Sequence, residues 1–425
     1  MCIRDSLKAR RAVLSMAIVL TVLSLIQSDH RARKGRNALL KWAPVQEAVD
    51  TGEPIYEVGA EGYPTLPVTL LLMRPFHMAG PRLGPLLWAA FKLGLAWWML
   101  LSALGLAFGS ARSAPPWALW VVLLGSFRVL HSDVQHGNLN LVVAAVVMFG
   151  VLQLARGRDA LAGTAWGLGA TLKVTPALGL VWLLARGSWK GVMGLFAGIV
   201  AGTLAPGLWL GFGRSWEMAQ AWGRQMLVPY LSGRELSLLQ TEHINQSMLG
   251  VLARHLTDAV AIPARTRGPI DPLRIGWLDL APDTFQLVHL AASLAVLGLF
   301  SWSAWKNRMP IGGDTGLKQS TVLGLGALMG LAMVMLSERS WKHHHVLLPL
   351  ALTYLAQSAT NRRTRPLALG MLAAAAVAFA GSGEAILGAW GSDLAEAFGA
   401  YALGDLVLFL GIARLVTLAD LSPDG

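Results

Sequence analysis

Long apolar runs, continuous rather than alternating, set the pattern of this chain. They fall at about 12–28, 84–109, 116–131, 138–155, 159–172, 174–186, 189–212, 284–305, 319–336, 345–358, 366–388 and 402–420. A membrane span needs roughly 20 apolar residues, and a helix satisfies its own backbone in lipid. The pattern therefore predicts an all-α polytopic membrane protein, a single integral domain over residues 1–425 with about 12 transmembrane helices. Unbroken runs argue against a β-barrel, whose strands alternate. The runs 159–172 and 174–186 are short, and predict a tight hairpin turning at Lys173 and Pro176.

Three polar clusters interrupt this pattern. They are His131-Ser132-Asp133-Val134-Gln135-His136-Gly137-Asn138-Leu139-Asn140, Lys173-Val174-Thr175-Pro176, and Ser337-Glu338-Arg339-Ser340-Trp341-Lys342-His343-His344-His345. Ionisable groups at a membrane boundary are costly and mark sites, so the three predict one shared polar pocket. In the first long loop, 29–83, residues from Asn37 to Val49 carry helical periodicity. A Pro-rich turn follows, and Pro64 to Met78 reads as a second interfacial helix.

Composition agrees with the pattern: 54% of the 425 residues are hydrophobic and 14% charged, with mean hydropathy +0.52. That is far too much apolar surface for a soluble core. The single cysteine, Cys2, allows no disulfide within the chain. Arg4 to Ser28 has the outline of a signal peptide but no small-residue cleavage site follows, so an uncleaved first span is expected. The net charge of +11 fits basic cytoplasmic loops, and no basic stripe interleaved with aromatics points to nucleic acid.

One threading puts the N-terminus, Arg112, Arg156 with Arg158, Arg186 with Lys190, Lys306 with Arg308, and Arg362, Arg363 and Arg365 on one side. The loops 29–83 and 213–283 and the polar clusters then face away from the cytoplasm. Arg31, Arg33, Lys34, Arg36, Lys41, Arg214, Arg224, Arg234, Arg254, Arg265 and Arg267 fall on that far side too. Such an excess against the usual bias suggests an anionic ligand such as lipid phosphate, or anchorage to anionic headgroups.

Several segments together resemble the polytopic glycosyltransferases of the GT-C fold, specifically glycosyltransferase family 87. They are Gly52-Glu53-Pro54-Ile55-Tyr56 with Tyr63-Pro64, Gln135-His136-Gly137-Asn138-Leu139-Asn140, Arg156-Gly157-Arg158-Asp159-Ala160-Leu161-Ala162-Gly163, and Gly167-Leu168-Gly169-Ala170-Thr171-Leu172-Lys173-Val174-Thr175-Pro176. The resemblance spans roughly residues 35–350 and implies a polyprenyl-phosphate sugar donor, mannose- or arabinose-like, and a lipid-linked or envelope glycan acceptor. It implies a multi-pass cell-membrane enzyme with an extracytoplasmic active site and no cofactor. The family places an acidic base about fifteen residues before the Gly-x-x-x-Tyr turn, which here falls at about Asn37.

Inverting transfer from a lipid phosphate needs one base for the acceptor hydroxyl and cations for the departing phosphate. Asp133, flanked by His131 and His136, is the candidate base with His136 beside it; its alternative role is a helix N-cap. Asp29, Asp50 and Glu57 are further carboxylates. Lys173, Arg339, Lys342, His344 and His345 are candidate phosphate ligands. Tyr63, Gln135, Asn138, Asn245 and Gln246 are candidate substrate contacts, and Asn245-Gln246-Ser247 is also a formal N-glycosylation triplet. Adjacent helical histidines point about 100° apart and cannot converge on one metal ion. Competing readings are a lipid or solute transporter, which should show paired broken helices, and a catalytically silent homologue.

Overall fold

A computed structural model describes residues 3–56, 63–228, 239–264, 271–308 and 319–418. The expectations for Glu57, Arg234, Arg265 and Arg267 fall outside them. Each of the twelve apolar runs forms helix, and the only strands among the described residues are a short antiparallel pair, β1 (Val260–Ile262) with β2 (Leu273–Arg274).

The helices are α1 (Ile3–Arg33), α2 (Ala38–Lys41), α3 (Ala43–Thr51), α4 (Val68–Met78), α5 (Gly80–Phe108), α6 (Pro116–His136), α7 (Asn140–Ala155), α8 (Asp159–Leu172), α9 (Gly179–Arg186), α10 (Trp189–Leu204), α11 (Gly207–Leu210) and α12 (Phe212–Trp222). Then follow α13 (Met248–Leu256), α14 (Pro282–Lys306), α15 (Gln319–Met335), α16 (Leu348–Ser358), α17 (Arg365–Ala375), α18 (Glu384–Ala397) and α19 (Ala400–Leu418).

Length and composition support fewer spans than the expected dozen. Among the described residues six helical stretches are long and apolar enough to cross a membrane: α1, α5, α6, α10 with α11, α14 and α19. A seventh is possible if α17 and α18, bent by 83° at their junction, form one broken span. The runs at 140–155, 159–172, 175–186, 319–335 and 348–358 are helical but too short, because an 18-residue helix covers only about 27 Å.

The chain divides into two compact units. Unit 1 comprises Met1–Met99, Leu130–Leu184 and Ser188–Leu238. Its tightest packing joins α8 to α10, and sequence dictates it. A side chain at Gly163 would come within 1.9 Å of the Gly191 carbonyl, and one at Gly167 within 2.0 Å of the Leu195 carbonyl. Glycine four residues apart lets two helix backbones touch. Trp166 then fills the space behind α8, stacked on Trp182 with ring centres 5.3 Å apart and donating to the Val147 carbonyl. The hairpin expected at Lys173 forms: α8 stops at Leu172, Lys173 is extended, and a 3-10 turn led by Thr175-Pro176 enters α9.

The helix expected from Asn37 to Val49 is broken into α2 and α3, because Pro44 suits a helix start and not an interior. Val45, Ala48 and Val49 of α3 bury their apolar stripe against Ile55, Tyr56, Tyr63, Leu70 and Met218.

Unit 2 comprises Leu100–Val129, Ala185–Gly187 and Leu239–Gly425. Its centre is α15, buried on every face from Thr321 to Met335, as its apolar composition all round requires. Gly324 meets Tyr354 and Val416, and Gly330 meets Leu347, so α16 and α19 approach α15 closely. Where α17 unwinds into a π turn before α18, Arg128 donates to the Phe379 carbonyl (2.8 Å) and to Ser382 Oγ (3.1 Å), satisfying groups that the break would orphan.

Candidate functional site

In unit 1 the polar cluster ending α6 and the Lys173 turn are linked through side chains. Asp133 and Lys92 are both fully buried, and Lys92 Nζ donates to Asp133 Oδ2 at 2.7 Å and to the Asp133 carbonyl at 2.6 Å. The Asp133 carboxylate also takes Asn140 Nδ2 at 2.9 Å and the Leu141 N–H at 3.3 Å. That last bond satisfies a donor in the first turn of α7 from α6, although Asp133 is not the N-cap, a position held by Leu139 with no side-chain cap bond. Asn140 Oδ1 in turn accepts from Lys173 Nζ at 3.1 Å.

Sequence reasoning missed Lys92. The signal was present, a lone lysine inside the apolar run 84–109, since a buried ammonium needs a counter-ion.

His131, Gln135 and His136 of this cluster are engaged as well, whereas the buried Ser132 hydroxyl makes no hydrogen bond. His136 Nδ1 lies 2.6 Å from the Ser132 carbonyl, so that nitrogen carries the proton and Nε2 accepts from Arg31 at 3.1 Å. Gln135 bonds to Gln27 and His131, and His131 Nδ1 lies 2.8 Å from Ser24 Oγ. Asn138 is half-buried, two residues before α7.

Gly137 combines φ +70° with the approach of the Asn37 amide, which would lie 2.3 Å from a side-chain carbon there. Trp88 Nε1 donates to the Gly137 carbonyl at 2.8 Å. Asn37, where the resemblance expects an acid, caps α2 through the Leu39 N–H. Its buried Nδ2 makes no hydrogen bond.

Tyr63 is buried rather than open to a ligand. Its hydroxyl bonds to Thr69 Oγ1, its ring meets Trp42 edge-on at 5.2 Å, and burial pushes its phenol up to about 12. Asp29 pairs with Arg33 and Asp50 with Arg74, both in the open.

In unit 2 the segment 337–345 is held by Asn245-Gln246-Ser247. Asn245 Nδ2 donates to the Glu338 and Gln240 carbonyls, and its Oδ1 accepts from the Ser340 and Ser247 N–H groups. Gln246 Nε2 donates to the His243 and Glu396 carbonyls at 2.6 Å, and its Oε1 accepts from the Tyr401 N–H. Both amides are fully buried and saturated by backbone. The two residues act as a strap, which leaves Asn245 no surface for a glycan in the folded chain.

Arg254 anchors the strap. Fully buried, it donates to the carbonyls of Thr241, Glu242, Asn245, Glu396 and Ala397. The expectation that Arg254 meets an anion is corrected, because its guanidinium is engaged by five carbonyls, two of them at the C-terminal end of α18, where a cation is favoured.

His345 is likewise turned inward. Its Nδ1 donates to the Trp341 carbonyl and its Nε2 lies 2.8 Å from Asp405, both residues buried. The segment leaves Arg339 exposed and Lys342 and His344 half-exposed, with the His344 ring stacked on Trp341 at 6.0 Å. Glu338 is half-buried, with Arg339 Nε at 3.5 Å. Burial raises its carboxyl above the ordinary range, and the Arg339 charge opposes that shift. No group of three or more metal-ligating side chains occurs among the described residues.

The structure thus brings Asp133, Asn140 and Lys173 together in unit 1, and Asn245, Gln246 and the 337–345 segment together in unit 2. Comparison with curated proteins gives no match. The model of glycosyltransferase family 87 matches residues 63–337, well over half of the chain and including the Lys92, Asp133, Asn140 and Lys173 cluster. The chain therefore belongs to glycosyltransferase family 87.

Proposed function

We propose that this membrane glycosyltransferase takes a mannose- or arabinose-like sugar from a polyprenyl-phosphate donor. It passes the sugar with inversion to a lipid-linked or envelope glycan acceptor on the extracytoplasmic face of the cell membrane. Family membership carries the glycosyl transfer. The phosphate-linked donor rests on one observation, the charge count of the Lys92, Asp133 and Lys173 cluster in unit 1. Lys92 and Lys173 bring two ammoniums against the single carboxylate of Asp133. Lys92 and Asp133 are fully buried and Lys173 half-buried, so the surplus positive charge is only partly solvated and favours an anion beside it.

In the transfer, the C1–O bond to the phosphate breaks and the phosphate leaves with the electron pair. It departs already ionised, so a cation at Lys173 aids it and no acid is needed. The acceptor hydroxyl gives up its proton to water at the membrane face as the new C1–O bond forms. Asp133 belongs, in this reading, to the charge cluster and to the start of α7, because Lys92, Asn140 and Leu141 already occupy its oxygens. In unit 2, Arg339, Lys342 and His344 are proposed as contacts for anionic groups, on the strength of their exposure and charge.

The test incubates membranes containing the protein with radiolabelled polyprenyl-phosphate sugars and follows label into lipid-linked product. Lys173→Ala should weaken donor binding strongly, and Lys173→Arg should keep part of it, since charge survives but geometry changes. Donor affinity in Lys173→Ala equal to that of the parent would remove the phosphate from this site. Absence of labelled product with every donor would overturn the transfer reading.

A further inference from the structure

Within unit 1, Lys92 touches nothing that a substrate could reach: it is fully buried in α5 and bonds to Asp133 twice. Its effect on Lys173 is therefore indirect, and it follows from the order of groups. The chain of bonds runs Lys92 to Asp133, Asp133 to Asn140, and Asn140 to Lys173. An ionised carboxylate only accepts, so the Asn140 NH2 must face Asp133 and its carbonyl oxygen must face Lys173. Lys173 is thereby hydrogen-bonded to a neutral oxygen, and the Asp133 carboxylate is neutralised by Lys92.

We infer that Lys92 is a positioning residue that keeps the Lys173 ammonium available to an anion, by neutralising Asp133 from the opposite side. Asn140 is the uncharged spacer that makes the arrangement work. Burial disfavours the Lys173 ammonium, and the charge of Asp133 opposes that effect. Without Lys92 the attraction of Asp133 has no competitor, and the cluster falls from one surplus positive charge to none. An incoming phosphate then meets a neutral site.

This inference rests on the phosphate-linked donor reading, and the test separates the two. Full-length protein in lipid nanodiscs is titrated with farnesyl phosphate, with farnesol as the uncharged control. The wild type should prefer the phosphate. Lys92→Met should reduce that preference at least about tenfold, as should Asn140→Asp, which leaves both lysines in place but adds a carboxylate beside Lys173. The double variant Lys92→Met with Asp133→Asn restores the surplus charge, and should bring the preference back to within about threefold of wild type.

Wild-type indifference to the phosphate would overturn both readings. A wild type that prefers the phosphate, with Asn140→Asp or Lys92→Met preferring it equally, would overturn the inference alone. So would losses in the single variants that the double variant fails to restore, because Lys92 would then serve only to hold the fold.

Discussion

Breaking the Lys92–Asp133 pair from either side should have unequal effects, and the inequality follows from the partners left behind. Both side chains are at 0% exposure. Removing one member of a buried ion pair costs about 3–5 kcal/mol, because the other remains as an uncompensated charge. Lys92→Met leaves the carboxylate with two neutral donors, Asn140 Nδ2 and the Leu141 N–H, so its cost should lie near the lower end, about 3 kcal/mol. Asp133→Leu leaves the ammonium the backbone carbonyl of residue 133 and the Trp88 ring and also removes the bond to the Leu141 N–H. Its cost should lie at or above about 5 kcal/mol. The double variant Lys92→Met with Asp133→Leu buries no charge there, and should be closer to wild type than either single variant. Unfolding free energies from SDS titration in mixed micelles provide the measure. Additive losses in the double variant, or a Lys92→Met cost under about 1 kcal/mol, would refute the ion-pair account.

Three further outcomes are expected. Gly163→Val should abolish recovery of monodisperse protein in size-exclusion chromatography, because the side chain would have to displace the Gly191 backbone at 1.9 Å; normal recovery would show that α8 and α10 can separate. Burial raises the Glu338 carboxyl, so its charged form disfavours the fold, and the unfavourable effect sets in as pH rises through the carboxylate range. Glu338→Gln should therefore gain in Tm over wild type with rising pH and show no gain in acid; a pH-independent difference would refute this. In a glycosylating host, Asn245 should add no glycan mass to folded protein, while Asn245→Ala should lower stability by at least about 2 kcal/mol through four lost hydrogen bonds. Glycan at Asn245 of folded protein would refute the strap.

The apolar runs made the helices and most of their ends legible, because hydrophobic length is a local property. Lys173 at the turn of a short hairpin was legible for the same reason. The role of Asp133 was not, because its choice between capping and proton transfer depends on Lys92, which is 41 residues away in sequence. Asn245 and Gln246 show the same limit. Their amides looked ready for a sugar, yet their partners are backbone groups up to 155 residues distant.

By itself, then, the sequence determined that this is a helical membrane protein, where its polar interruptions fall, and its likeness to one glycosyltransferase family. Tertiary structure decided which polar side chains remain open. It turned Arg254 and His345 inward and left Arg339 exposed. Burial and pairing are set by what the fold brings alongside, and a charge in a sequence carries no record of its distant partner.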